Sequence, residues 1–235
     1  MSFARREVDA TQLTRDMKCL VALEEHTVTI ADARRNADRF TLANNGFTLA
    51  RHISKLADFH DKTVVRARYI PELEDIVCTA TGAKAVVVID CVLRGSKGMS
   101  DQNPKTRIYE YAFKAHTDGN GSGFFRNAKA LKPEVVAKYE DCAFAEFNVW
   151  RPTAPVEEKP LALCDASTVS PKDLVAAYFD GWLDYPPEKR PDPLPQSGDY
   201  FHVAHTPAQR WYYYADMTPD EVLIFKQWDS DRSKP

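Results

Sequence analysis

The sequence predicts a mainly β chain with flanking helices, folded as a double-stranded β-helix of the jelly-roll or cupin-like kind. Three observations point that way. Short alternating or β-branched segments recur along most of the chain, few segments keep a helical period, and 15 prolines punctuate the connections. At 235 residues with 44% hydrophobic content the chain is long enough for a substantial core. It shows no repeat or low-complexity block, so residues 1–235 read as a single domain.

Val28 to Ile30 reads as a short strand, and Asp32 to Asp38 as a polar turn or helix start. Phe40-Thr41-Leu42 leads through Asn44-Asn45-Gly46 into Phe47-Thr48-Leu49, the pattern of a hairpin around Asn-Gly. Ser54 to Phe59 is a connection, and Val64 to Tyr69 fits strand or helix. Pro71 to Thr81 is helical. Pro71 suits the first turn, Glu72, Glu74 and Asp75 come early, Leu73, Ile76 and Val77 keep helical spacing, and Gly82 fits the stop. Ala85 to Leu93 is an almost unbroken apolar run, as in a strand buried on both faces.

Residues 95–105 read as a loop. Arg107 to Ala115 alternates as a strand and opens into a turn at Gly119 to Gly123. Lys132 to Lys138 is a short helix, and Ala143 to Trp150 a strand stopped by Arg151-Pro152. Leu161 to Cys164 is another strand. Ser170-Pro171-Lys172-Asp173 caps a helix expected to run to about Phe179. The proline-rich residues 185–199 form an exposed loop. Tyr200 to His205, Gln209 to Tyr214 and Val222 to Trp228 close the chain as strands.

A net charge of −3 supplies no electrostatic reason to expect nucleic acid or an anionic membrane. No apolar run reaches membrane-spanning length and the start lacks a secretory core, so a cytoplasmic protein is expected. Cys19, Cys78, Cys91, Cys142 and Cys164 are scattered, with no C-x-x-C. Free buried thiols are expected rather than disulfides or a zinc knuckle.

The chemistry concentrates at His116-Thr117-Asp118, on the rim of the alternating strand. One imidazole and one carboxylate side by side are two of the three donors of a 2-His-1-carboxylate Fe(II) face. The alternative is a polar strand end in which Asp118 braces the turn. Arg126 fits an anion contact or a solvated loop charge. Trp150, Trp211, Tyr212 and Tyr213 fit either pocket walls or core.

Several stretches occur in a specific order: Asn45-Gly46-Phe47-Thr48-Leu49, Tyr69-Ile70-Pro71-Glu72-Leu73-Glu74, Thr81-Gly82-Ala83, Ile89-Asp90 with Arg94, His116-Thr117-Asp118, Asn148-Val149-Trp150-Arg151-Pro152, Pro160 to Asp165, Arg210-Trp211-Tyr212-Tyr213, and Met217 to Ser230. Across about residues 20–230 this set resembles the hydroxylase/desaturase family that includes fungal gibberellin desaturase, AsaB-type enzymes and the cephem methoxylase component. The resemblance implies an Fe(II)- and 2-oxoglutarate-dependent oxygenase of secondary metabolism. Such an enzyme uses molecular oxygen to hydroxylate, desaturate or cyclise a small molecule. It assigns His116 and Asp118 to the iron. Arg151 is assigned to a carboxylate of 2-oxoglutarate or substrate, the alternative being a strand-end brace or a partner of Asp165. Arg126, Trp150 and Trp211 are assigned to substrate.

In that family a second His ligand and a 2-oxoglutarate-binding Arg follow the Trp-Asp-Ser element. Here Trp228-Asp229-Ser230 is followed only by Asp231 to Pro235. The sequence therefore predicts a domain lacking its C-terminal strands, with both groups expected after Pro235. His202 or His205 is the alternative third donor, and a metal-free binding module the alternative function. A cupin-type metal hydrolase or isomerase is a third option. His26, His52 and His60 read as ordinary. Loops 95–105, 119–130 and 185–199 are expected to set the substrate.

Overall fold

In the computed structural model, residues 1–5, 23–96, 108–119, 121–177 and 200–231 are described. Three short strands come first: β1 (Ser2–Ala4), β2 (Leu23–Glu25) and β3 (Ile30–Asp32). After a 3-10 segment, Ala33–Arg39, the chain enters β4 (Phe47–Arg51). Helix α1 (Lys62–Val64) passes through a π turn, Val65–Tyr69, into α2 (Ile70–Thr81). Strands β5 (Leu93–Gly95), β6 (Ile108–Glu110) and β7 (His116–Thr117) precede helices α3 (Ser122–Leu131) and α4 (Pro133–Lys138). The remaining strands are β8 (Ala145–Trp150), β9 (Leu163–Cys164), β10 (Leu174–Ala177), β11 (Tyr200–Val203), β12 (Trp211–Tyr213) and β13 (Glu221–Asp229).

The central sheet is antiparallel, in the order β4-β13-β8. Strand β13 alternates in two directions. Val222 and Ile224 are fully buried against Ile76 of α2, with Phe147 and Val149 beside them. Leu223 faces the other way, into a cluster of Phe40, Phe47, Leu163, Tyr214 and Met217. That second face meets the sheet β3-β12-β9. Each fully buried aliphatic side chain here contributes roughly 1.5–3 kcal/mol, so β13 is the main packing element between the two layers. A third sheet, β10-β11-β7, carries His116, and the pairs β1-β2 and β5-β6 lie outside these three. Phe3 of β1 packs with Ala115, Val203 and Trp211, joining the third sheet to the opposite face of β12.

Helix α2 forms where its spacing predicts. Leu73, Ile76 and Val77 make its buried stripe. Gly82 ends it at φ 70, a left-handed conformation that glycine adopts without strain. Val64 to Tyr69 is helical because Asp61 caps it, accepting from the amides of Thr63 and Val64. The final strand and the Lys132 to Lys138 helix are also as expected.

Other elements differ. Asn44-Asn45-Gly46 is a turn, but it does not join a hairpin. Asn45 bonds back to Thr41, Phe40 stacks on Phe47 at 5.0 Å, and β4 pairs with β13 instead. Burial of Phe40 in the core outweighs local strand pairing. The apolar run Ala85 to Leu93 is irregular up to Val92, which is 52% exposed. Apolar side chains do not make a strand unless the backbone finds a ladder partner, and among the described residues this segment pairs only from Leu93. The alternating stretch before His116 is broken into β6 and β7, which join different sheets. The Gly119 to Gly123 turn runs into α3, which replaces the expected loop. At Ser170 the capping box is present, yet it closes one 3-10 turn and yields to β10, because Leu174 to Ala177 pair with β11. Residues 97–105, 178–179 and 185–199, with Cys19, lie outside the described residues.

Candidate metal centre

Two neighbouring strands bring the central residues together. On β7, His116 lies directly across from His202 of β11, and opposed residues of an antiparallel pair share a face. The backbone carbonyl of Lys114 accepts from His116 Nδ1 at 2.6 Å. That bond fixes the ring orientation and turns Nε2 toward Asp118, whose Oδ1 is 3.1 Å away. A neutral imidazole with its proton on Nδ1 presents a lone pair at Nε2. A carboxylate oxygen presents another. Two lone pairs facing each other at this distance need a cation between them, either a proton or a metal ion.

The electrostatics follow from that pairing. The hydrogen bond to Asp118 raises the His116 pKa above the ordinary histidine value against the opposing effect of burial. For Asp118, burial alone would raise the carboxyl pKa, but the hydrogen bond and charge of His116 outweigh it, assisted by Asn148, and the net direction is down. The donors suit a metal ion as well as a proton. Their 3.1 Å spacing is close to that of adjacent corners around an ion bonded at about 2.1 Å to N and O. Neutral-nitrogen plus carboxylate chemistry is what non-haem Fe(II) takes.

Asp118 is held from two sides. Asn148 Nδ2 donates to Asp118 Oδ2 at 2.5 Å, and the Asp118 backbone N–H donates to Gln227 Oε1 at 2.7 Å. Asn148 comes from β8 and Gln227 from β13, so the central sheet reaches across to the turn that carries Asp118. Glu146, two residues before Asn148 on the same face of β8, is 8% exposed. Neither of its carboxyl oxygens has a hydrogen-bond partner of normal geometry. Burial, then the charge of Asp118, pushes its pKa up to about 8, although the Gly121 amide acts in the opposite sense. Its carboxyl lies against Gly119, where an added Cβ would stand 2.3 Å from Oε1 and 2.6 Å from Phe124 Cε2. A side chain at Gly119 would force the Glu146 carboxyl or the Phe124 ring to shift.

His202 and His205, the alternative third donors, do not join the pair. His202 is 1% exposed, and burial, followed by the charges of Lys114 and His116, pushes its pKa down to about 4. It is therefore a neutral neighbour of His116. His205 stacks on His26 at 4.0 Å, next to Phe3. Among the described residues, no group of three or more His, Cys, Asp and Glu side chains is placed to hold a metal ion.

The other assigned residues part company. Trp150 shares the Asn148 face of β8, packs beside Phe47 and Leu223, and lines an open trough of about 2760 Å³ that also takes in His116 and Asp118. This far exceeds the roughly 300–1,000 Å³ of a single ligand pocket, so volume alone does not select a substrate. Arg151 is on the opposite face. Its guanidinium donates to the Tyr69 hydroxyl, to the carbonyls of His52 and Pro219, and to His52 Nδ1. Those partners take four of its five N–H groups, so Arg151 braces the end of β8 to the end of β4 and to the helical segment. Trp211 is buried at 6% exposure against Phe3, in the core bordering the same trough. Arg126 is exposed on α3, and the trough wall takes Phe124, Phe125, Asn127 and Ala128 from that helix instead. Sequence reading missed Glu146, Asn148 and Gln227. The available signal was Glu146-x-Asn148-x-Trp150: two polar residues at strand spacing in an otherwise apolar strand.

Known proteins resemble this chain in sequence and in fold. The family profile described as "Oxidoreductase/YMDC permease-like domain" matches residues 4–235. Among the described residues no helix is long and apolar enough to cross a membrane. The chain is 31% identical over 223 residues to "Hydroxylase/desaturase CTB9" of Cercospora beticola, covering 89% of this chain and 67% of that protein. It is 29% identical over 215 residues to "Fe(II)/2-oxoglutarate-dependent dioxygenase nvfI" of Aspergillus novofumigatus, covering 88% and 71%. The solved structure "iron and alpha-ketoglutarate-dependent endoperoxidase NvfI" superposes with a TM-score of 0.76 at 25% identity, covering 98% of this chain and 83% of that one. The chain belongs to the oxidoreductase/YMDC permease-like family, with the fungal hydroxylase/desaturases as its relatives.

Proposed function

We propose that this protein is an Fe(II)- and 2-oxoglutarate-dependent oxygenase of secondary metabolism, acting on a small molecule by hydroxylation, desaturation or oxidative cyclisation. The observation that carries the reading is the His116 Nε2 to Asp118 Oδ1 pair, two convergent donors 3.1 Å apart on the rim of a strand. Iron with 2-oxoglutarate supplies the oxygen activation needed to attack an unreactive C–H bond. His116 and Asp118 would hold the iron. The Lys114 carbonyl keeps the imidazole in the tautomer that frees Nε2 for a metal. Trp150 would wall the trough beside them and help exclude water. We read residues 1–235 as one domain of jelly-roll type, its central sheet and the His116 sheet forming the two sides of the mouth. Cys78, Cys91, Cys142 and Cys164 are free thiols, which suits a cytoplasmic setting.

The test is turnover. With Fe(II), 2-oxoglutarate and oxygen, the protein is expected to consume oxygen and form succinate in equal amounts, and His116→Ala to abolish both. Metal-dependent turnover of a substrate without oxygen uptake would favour a hydrolase or isomerase. The alternative reading is a metal-free binding module that has lost catalysis. Ligand binding with no metal uptake would establish it.

A further inference from the structure

We infer that Asn148 and Gln227 are positioning residues that hold the Asp118 carboxylate with Oδ1 toward His116, where it would meet a metal. This rests on the metal-site reading above. A carboxylate on a strand end can rotate about two side-chain bonds and present either oxygen, or both, to an ion. Here that freedom is removed at two points. Gln227 Oε1 accepts the Asp118 backbone N–H and fixes where the residue starts. Asn148 Nδ2 donates to Oδ2 and fixes where the carboxylate ends. Oδ1 is left as the oxygen that faces His116 Nε2. On the other donor, the Lys114 carbonyl does for the imidazole what Asn148 does for the carboxylate.

Both amides come from the central sheet and not from the turn that carries the ligands. Asn148 and Gln227 stand on adjacent, directly paired strands, beside the irregularity that shifts the register of β13 between Lys226 and Trp228. That bulge is where Gln227 leaves the regular alternation, and bulges of this kind re-aim a side chain. The arrangement makes the metal site sensitive to the packing of the central sheet. It also accounts for an amide at Asn148, between the apolar Phe147 and Val149.

The test uses Co(II) as the probe, in the absence of oxygen and 2-oxoglutarate. Wild type is expected to take up one Co(II), and His116→Ala to lose it. Asn148→Ala is expected to weaken Co(II) binding about 10–100-fold, the usual cost of losing an outer-shell partner. It should also change the visible ligand-field spectrum, because the freed carboxylate can swing to bind through both oxygens. Asn148→Gln, which keeps an amide donor, should recover part of the affinity and the wild-type band shape. Gln227→Leu, which removes the acceptor, should weaken binding in the same direction. If Asn148→Ala does not fold, Asn148→Ser provides the same comparison with a smaller change. Wild-type affinity and an unchanged spectrum in the Asn148 and Gln227 variants would overturn the inference while leaving the metal site in place. Failure of wild-type protein to bind Co(II), or equal binding by His116→Ala, would remove the metal-site reading and the inference together.

Discussion

Replacing Glu146 with Gln should make the metal-free protein more stable at alkaline pH and change little in acid. Glu146 is buried, without a hydrogen-bond partner of normal geometry, and near the negative charge of Asp118. In the folded chain its carboxyl keeps its proton up to about pH 8, against an ordinary value of 4.5. Between those two values the folded state binds more protons than the unfolded state, so stability falls as pH rises and levels off above 8. The displacement corresponds to roughly 4–5 kcal/mol at about 1.4 kcal/mol per unit. Water entering the open trough screens part of this, so a gain of about 2–3 kcal/mol is the expected size. The amide of Gln keeps the shape and cannot ionise. Urea unfolding of wild type and Glu146→Gln, both treated with chelator, should diverge from pH 5 to pH 9 by that amount, Glu146→Gln being the more stable at pH 9. Parallel curves with a constant difference would show that the carboxylate is solvated or paired, and would refute the account of burial.

Arg151→Ala should destabilise the fold by about 2–4 kcal/mol in urea unfolding, since it breaks four contacts among Tyr69, His52 and Pro219. Its effect on 2-oxoglutarate affinity, measured on the folded fraction, should be less than about threefold; a larger specific loss would restore Arg151 as a carboxylate receptor. Gly119→Ala should cost about 1–3 kcal/mol by overpacking against Glu146 and Phe124, and it should weaken Fe(II) binding because the turn carries Asp118. Unchanged stability and metal affinity would show that the turn has room.

The site was legible where chemistry is local in sequence. His116 and Asp118 two residues apart announce a donor pair, and the ordered motifs from Asn45 to Ser230 point to the family. What surrounds the pair was not legible. Asn148 and Gln227 lie 30 and 109 residues from Asp118, and only strand pairing brings them to it. Arg151 shows the limit most clearly. A Trp-Arg-Pro element reads as a carboxylate site, but adjacent residues on a strand face opposite sides, so Arg151 turns away from Asn148 and Trp150 toward Tyr69, His52 and Pro219. The fold shows the same division. Pro71, the acidic first turn and Gly82 specify α2 by short-range rules. Ala85 to Leu93 failed as a strand, because apolarity states that a segment avoids water and says nothing of which backbone it pairs with. Ser170 and Asp173 formed their capping box as expected, yet pairing with β11 decided what followed.

His116 and Asp118, the two donors at the strand rim, carry the proposed iron site. Anaerobic addition of Fe(II) and 2-oxoglutarate to the protein, read as the weak visible charge-transfer band of the bound pair, tests them. The account predicts a saturable band in wild type that both His116→Ala and Asp118→Ala abolish while the far-ultraviolet circular dichroism stays the same. No band in wild type, or a band that survives both substitutions, would contradict it.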